Sequence, residues 1–89
     1  MEITRGAFSG TLESSDAYIE IQPSDDGISV EVESIVLKQF GPQIKAAVLS
    51  VLDEFEVQNA TVKVLDRGAL ECVIRARVES AILRSGGVN

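Results

Sequence analysis

The chain has 89 residues, 45% of them apolar, and a net charge of −6. That is enough for one modest core but too short for two, and apolar enough to fold rather than stay disordered. With no histidine and a single cysteine, His-based triads, most zinc sites and an internal disulfide are excluded.

The first part, about residues 5 to 34, reads as β-structure. Ala7 to Leu12 can form a strand. Ala17, Ile19 and Ile21 alternate with Tyr18, Glu20 and Gln22, and Ile28, Val30 and Val32 alternate with Ser29, Glu31 and Glu33. That period of two is the mark of half-buried strands. Glu13-Ser14-Ser15-Asp16 is the turn between the first two runs. Pro23-Ser24-Asp25-Asp26-Gly27 separates the second and third, and its Pro and Gly predict a turn that joins them as a hairpin.

About residues 36 to 55 read as helical, because Ile44, Ala47, Val48, Val51, Leu52 and Phe55 form one apolar stripe. Gly41-Pro42 interrupts this stretch. Pro is tolerated in a first helical turn, so the main helix is expected to start at Pro42, with Val36 to Phe40 a separate short turn. Thr61 to Leu65 is β-branched and apolar, a strand closed by Asp66-Arg67-Gly68. Ala69 to Arg84 fits two periods. Leu70, Cys72, Ile74, Ala76 and Val78 could alternate as a strand, while Leu70, Val73, Ile74, Val78, Ala81 and Ile82 make a helical stripe. Helix is preferred for its length and for the i,i+4 pairs Glu71–Arg75 and Arg75–Glu79. Gly86-Gly87 then releases a short flexible tail from about residue 85.

The resulting order is β-β-β-α-β-α over one domain, residues 1–89. The expected fold class is α+β, a two-layer sandwich with two helices on one face of a mainly antiparallel sheet.

Little in the chain suggests its own catalysis. Asp25-Asp26 lacks calcium-loop spacing, the glycines form no phosphate loop, and no metal cluster is legible. Cys72, beside Val73 and Ile74, reads as a buried structural residue. Arg75 is expected to pair with Glu71 and Glu79, and Arg77 could bind an anion or a partner. Charge is uneven: residues 1 to 33 hold eight acids and one base, and residues 34 to 89 six acids and seven bases. An acidic face repels nucleic acid and anionic membranes and suits a basic docking surface, or serves only solubility. No apolar run approaches the ~20 residues that span a bilayer, and the first residues lack a secretory pattern, so a cytoplasmic location is expected. Ser14 has no His or Lys beside it to activate it as a nucleophile. Its turn offers exposure to a modifying enzyme, but from the local residues alone the favoured reading is a plain turn residue.

Three blocks carry a resemblance. They are Gly10-Thr11-Leu12-Glu13-Ser14 with Asp16, then Lys38-Gln39-Phe40-Gly41, then Gly68-Ala69-Leu70-Glu71-Cys72 running into Ile74-Arg75-Ala76-Arg77. In this order and at these intervals the chain resembles the acyl carrier protein (gamma chain) of citrate lyase. The resemblance implies a non-catalytic carrier with no catalytic residue and no metal ligand of its own. Ser14 would carry 2'-(5''-phosphoribosyl)-3'-dephospho-coenzyme A through a phosphodiester. The family pattern often has Gly where this chain has Ser15. Implied partners are the citrate lyase alpha and beta subunits, the prosthetic-group transferase, and an acetate ligase acting on the thiol. The alpha subunit would exchange acetyl for citrate on the arm. The beta subunit, with a divalent metal such as Mg²⁺, would cleave the citryl thioester to oxaloacetate and acetyl-carrier. Such a phosphoprotein would serve citrate fermentation. Glu13 and Asp16 are then expected to help basic partner surfaces recognise the loop. The related carrier of malonate decarboxylase and a plain α+β interaction domain are the alternatives; the third block favours citrate lyase.

Overall fold

The computed structural model of the chain describes residues 1–34 and 37–86, and for 37–39 the backbone alone. The elements run β1 (Ala7–Gly10), β2 (Ala17–Gln22), β3 (Ile28–Ser34), α1 (Leu37–Glu54), β4 (Ala60–Asp66) and α2 (Glu71–Ser85). This is the expected β-β-β-α-β-α order and an α+β fold. Residues 87–89, and with them most of the expected flexible tail, lie outside the described residues, as do Ile35 and Val36.

The sheet order is β1-β2-β4-β3. β1 pairs antiparallel with β2, β2 antiparallel with β4, and β3 parallel with β4. The expected β2–β3 hairpin is therefore not formed, because β4 is inserted between the two strands. The reason lies in burial. In β4, Ala60, Val62, Val64 and Asp66 are all buried, whereas alternate residues of β3 are only half-buried. The more completely buried strand takes the place beside β2, and the helix between β3 and β4 provides the crossover a parallel pair requires. The 23–27 turn still reverses the chain, but across a gap of about 10 Å, two strand spacings. It is pinned to the start of β4: the Gly27 amide donates to Asn59 Oδ1 at 2.9 Å, and the Ala60 amide to the Gly27 carbonyl at 3.0 Å.

One core joins the sheet to both helices. Ile19, Ile21, Val62 and Val64 meet Val48, Val51 and Leu52 of α1 and Ile74, Val78 and Ile82 of α2, all buried. α1 packs on β3, α2 on β1 and β2, and the helices on each other. The predicted α1 stripe is buried from Ile44 to Leu52, with Phe55 packed at its margin. The helix start differs from expectation. α1 begins at Leu37 and runs through Pro42, so Leu37 to Phe40 form its first turn rather than a separate one. Proline crowds the Cβ of the residue before it, and Gly41 has none, which eases the steric objection to helix there.

α2 confirms helix over the ambiguous stretch and corrects three side-chain expectations. Cys72 is exposed, not buried. In a helix, positions 72 and 74 point about 200° apart, so burying Ile74 turns Cys72 outward. Leu70, expected on the apolar stripe, precedes the helix as its N-cap and is 71% exposed. Arg75 passes over Glu71 and Glu79 to pair with Glu54 of α1 at 2.6 Å. At the other end, Gly86 caps the helix through its amide to the Ile82 carbonyl at 2.8 Å, while the Thr4 and Arg5 amides donate to the Ser85 carbonyl. These amides of the N-terminal segment satisfy a helix-end carbonyl that no intrahelical donor reaches. No described helix is long and apolar enough to cross a membrane.

Candidate functional site

The loop between β1 and β2 is built from its two ends inward. β1 stops at Gly10, whose φ of 91° is the left-handed conformation that glycine accepts most readily. A Cβ there would stand 1.9 Å from the Ala17 carbonyl oxygen, so the chain turns here against the start of β2. Thr11 then organises the rise: its hydroxyl accepts the Glu13 amide at 3.2 Å and donates to Asp16 Oδ2 at 2.7 Å. The Asp16 amide donates to the Glu13 carbonyl at 3.2 Å, closing a four-residue turn with Ser14 and Ser15 at its centre. Ser15 has φ 65°, the position where such a turn favours glycine.

Two backbone bonds stitch this turn to the end of β4. The Ser15 amide donates to the Arg67 carbonyl, and the Arg67 amide to the Asp16 carbonyl, each at 2.9 Å. Behind Arg67, Asp66 is buried and fully engaged, accepting the Ser34 hydroxyl at 2.7 Å and the Ala69 amide at 2.9 Å. The loop thus rests on the ordered end of the sheet.

Ser14 stands exposed at the crest, and none of the loop's hydrogen bonds uses its hydroxyl. Glu13 is exposed beside it, as is Leu12, at 51%. Asp16 is placed differently. Its carboxylate accepts from Arg77 of α2 at two points, Nε to Oδ1 at 3.1 Å and Nη2 to Oδ2 at 2.9 Å, as well as from the Thr11 hydroxyl and from the Ala17 amide at 2.7 Å. The Arg77 hydrogen bonds foremost, then those from Thr11 and Ala17, hold the Asp16 carboxyl well below the usual carboxylate range. The sequence offers Asp16 and Arg77 as separate candidates, and the fold brings them together. Among the described residues no group of acidic, Cys or His side chains could hold a metal ion. The arrangement presents a hydroxyl with no base in contact among the described residues, on a braced loop. That suits chemistry done to the serine by another protein better than chemistry done by it.

Two expected results follow from this geometry. Replacing Ser15 with glycine relieves a left-handed residue at a strain of ~1–2 kcal/mol. The added freedom of the unfolded chain takes back about 0.5–1 kcal/mol, so a net gain of up to about 1.5 kcal/mol should appear in urea unfolding. A loss would contradict the strained conformation. The second result concerns acid. Because Asp16 is more acidic folded than unfolded, its stabilisation is complete above the unfolded value near pH 4 and declines as pH falls through the folded value. Asp16→Asn should therefore flatten the stability profile below about pH 4 relative to the native chain. Matching acid limbs for the two proteins would show that the carboxylate contributes nothing.

Comparison with known proteins extends this picture. Residues 4–85 match the family model described as Malonate decarboxylase delta subunit (MdcD). The chain is 49% identical over 85 residues to the citrate lyase acyl carrier protein of Pectobacterium atrosepticum, covering 96% of this chain and 88% of that one. It is equally similar, 49% over 85 residues, to the proteins of that name from Treponema denticola, with 96% and 97% covered, and Lactococcus lactis, with 96% and 88% covered.

Proposed function

The chain belongs to the citrate lyase acyl carrier protein family, and from that premise we propose that it is the carrier subunit of a citrate lyase complex, with its prosthetic arm on Ser14. The observation that supports this most directly is the exposed Ser14 hydroxyl, free of hydrogen bonds, at the crest of a loop stitched to the sheet. The arm, 2'-(5''-phosphoribosyl)-3'-dephospho-coenzyme A, would supply a thiol on which acetyl and citryl groups ride as thioesters. For attachment, the Ser14 oxygen would displace phosphate or pyrophosphate from a donor that holds the arm as a phosphoanhydride, so that the P–O anhydride bond breaks as the phosphodiester to Ser14 forms. The Ser14 proton would leave to a base on the transferase, since no base among the described residues touches it. Holding the acyl group on a tether raises its local concentration at successive active sites. The carrier then needs no catalytic residue of its own.

The proposed partners are the alpha and beta subunits of the lyase, the prosthetic-group transferase and an acetate ligase, met in the cytoplasm. Glu13 presents its carboxylate beside Ser14, with exposed Leu12 next to it, a combination that suits an apolar contact ringed by basic side chains. Asp16, expected to share this recognition, has its charge paired to Arg77, so a basic surface meets Glu13 first.

Intact mass tests the proposal. Co-produced with the transferase, the chain should gain one phosphorylated adduct, and Ser14→Ala should abolish it. An adduct that persists in Ser14→Ala moves the attachment elsewhere, and no adduct on the native chain favours a plain interaction domain. The description of the matching family model supports a second reading, the carrier of malonate decarboxylase. Loaded carrier that restores malonate decarboxylase and not citrate lyase would select it.

A further inference from the structure

Arg77 reaches both ends of the serine loop. Its guanidinium forks onto the two carboxylate oxygens of Asp16, 61 residues away in sequence. Its side-chain stem runs beneath the other end, with Cδ 3.3 Å from where a Cβ on Gly10 would stand. The turn between these two points holds Ser15 in a left-handed conformation, and such a residue keeps its shape only where its surroundings impose it. Arg77 is well placed to do so, since its neighbours on α2, Ile74 and Val78, are buried in the core. A bidentate fork fixes the orientation of a carboxylate as well as its distance.

We infer that Arg77 and Asp16 are positioning residues for Ser14, holding its turn in the one geometry the transferase accepts. The inference rests on the carrier reading of Ser14. The pair's placement points to the loop: Asp16, only 14% exposed, closes the turn, and Arg77, 39% exposed, reaches it from α2. Arg77 also lacks an acidic neighbour three or four residues away on its own helix, where Val73, Ile74, Ser80 and Ala81 stand. Its Nε and Nη2 are both given to the loop.

The alternative role, charge recognition by the partner, makes an opposite forecast. Arg77→Gln makes the surface more acidic and Asp16→Asn less so, so recognition of acidity predicts faster transfer in the first and slower in the second. Positioning predicts that both are impaired alike. The test compares the full-length native chain, Asp16→Asn, Arg77→Gln and the double variant. One readout is the backbone ¹⁵N order parameters of Ser14 and Ser15. The other is KM and kcat for arm transfer by the transferase, followed by intact mass. Each single variant should lower order at Ser14 and Ser15 while leaving the sheet unchanged. Each should raise KM about tenfold with kcat nearly kept, as when the competent fraction of a loop falls to about a tenth. The double variant should be no worse than either single one. Arg77→Lys, which keeps the charge and loses the fork, should fall on the side of Arg77→Gln, and it serves in its place if Arg77→Gln does not fold. Unchanged loop order, or opposite effects of the two substitutions on transfer, overturns the inference. A native chain that accepts no arm overturns the carrier reading instead, and the order parameters still decide whether the pair shapes the loop.

Discussion

Gly10→Ala is expected to be the most damaging single-methyl substitution in the molecule, lowering stability by about 3 kcal/mol or more and disabling the serine loop with it. Two effects combine. The left-handed backbone at φ 91° disfavours any Cβ by ~1–2 kcal/mol. The new methyl would also lie 1.9 Å from the Ala17 carbonyl, which belongs to the backbone of a paired strand and cannot rotate away. Relief requires β1 and β2 to separate, and Gly10 is paired with Tyr18 at the last position of that ladder. Gly27 supplies the control. Its φ is 85°, and a Cβ there would meet nothing within 4 Å, so Gly27→Ala should show the conformational strain alone. Urea unfolding of both variants separates the contributions; equal losses would refute the steric argument. Against a domain stability of roughly 5–15 kcal/mol, the Gly10 variant should also be visibly less soluble and a poor substrate for arm attachment.

Val48→Ala should show the opposite division between stability and function. Val48 is fully buried at the centre of the α1 stripe, and its truncation should remove about 2 kcal/mol. Yet among the described residues no hydrogen bond that shapes the Ser14 loop comes from α1; they come from the loop itself, Arg67 and Arg77. At a temperature where the variant is folded, transfer to Ser14 should proceed at the native rate. A folded Val48→Ala protein that cannot accept the arm would mean the helical layer does more than carry the loop.

The sequence made the elements legible because their periods are local. The alternation in Ala17–Gln22 and Ile28–Ser34, and the stripe from Ile44 to Leu52, each come from neighbours along the chain facing one core. The fold departs from the reading wherever distant residues decide. The 23–27 turn looks like a hairpin turn from its composition, but only competition between strands for the middle of the sheet shows that β4 displaces β3. Arg75 has acids four residues away on either side and takes Glu54 of α1 instead, because helix packing brings a better-placed partner. At the site, an exposed Ser14 turn was readable, and the proposal that it accepts an arm came from family resemblance. The Asp16–Arg77 fork was not readable. Its only local trace is an arginine without an acidic partner on its own helix, and that signal names no partner.

The anchors of the loop come late in the chain. Residues 10–16 leave the ribosome early, while the strand that supports them, β4, ends at Asp66, and Arg77 follows on α2. A nascent chain that has not yet emitted these residues shows the serine but lacks both the central strand and the fork that frame it. The loop's bonds to Arg67 and Arg77 can therefore form only after β4 and α2 have been made. A modifying enzyme that reads the shape those bonds hold would load finished carriers and pass over partial ones, and ribosome-bound chains halted before residue 60 should take up no arm.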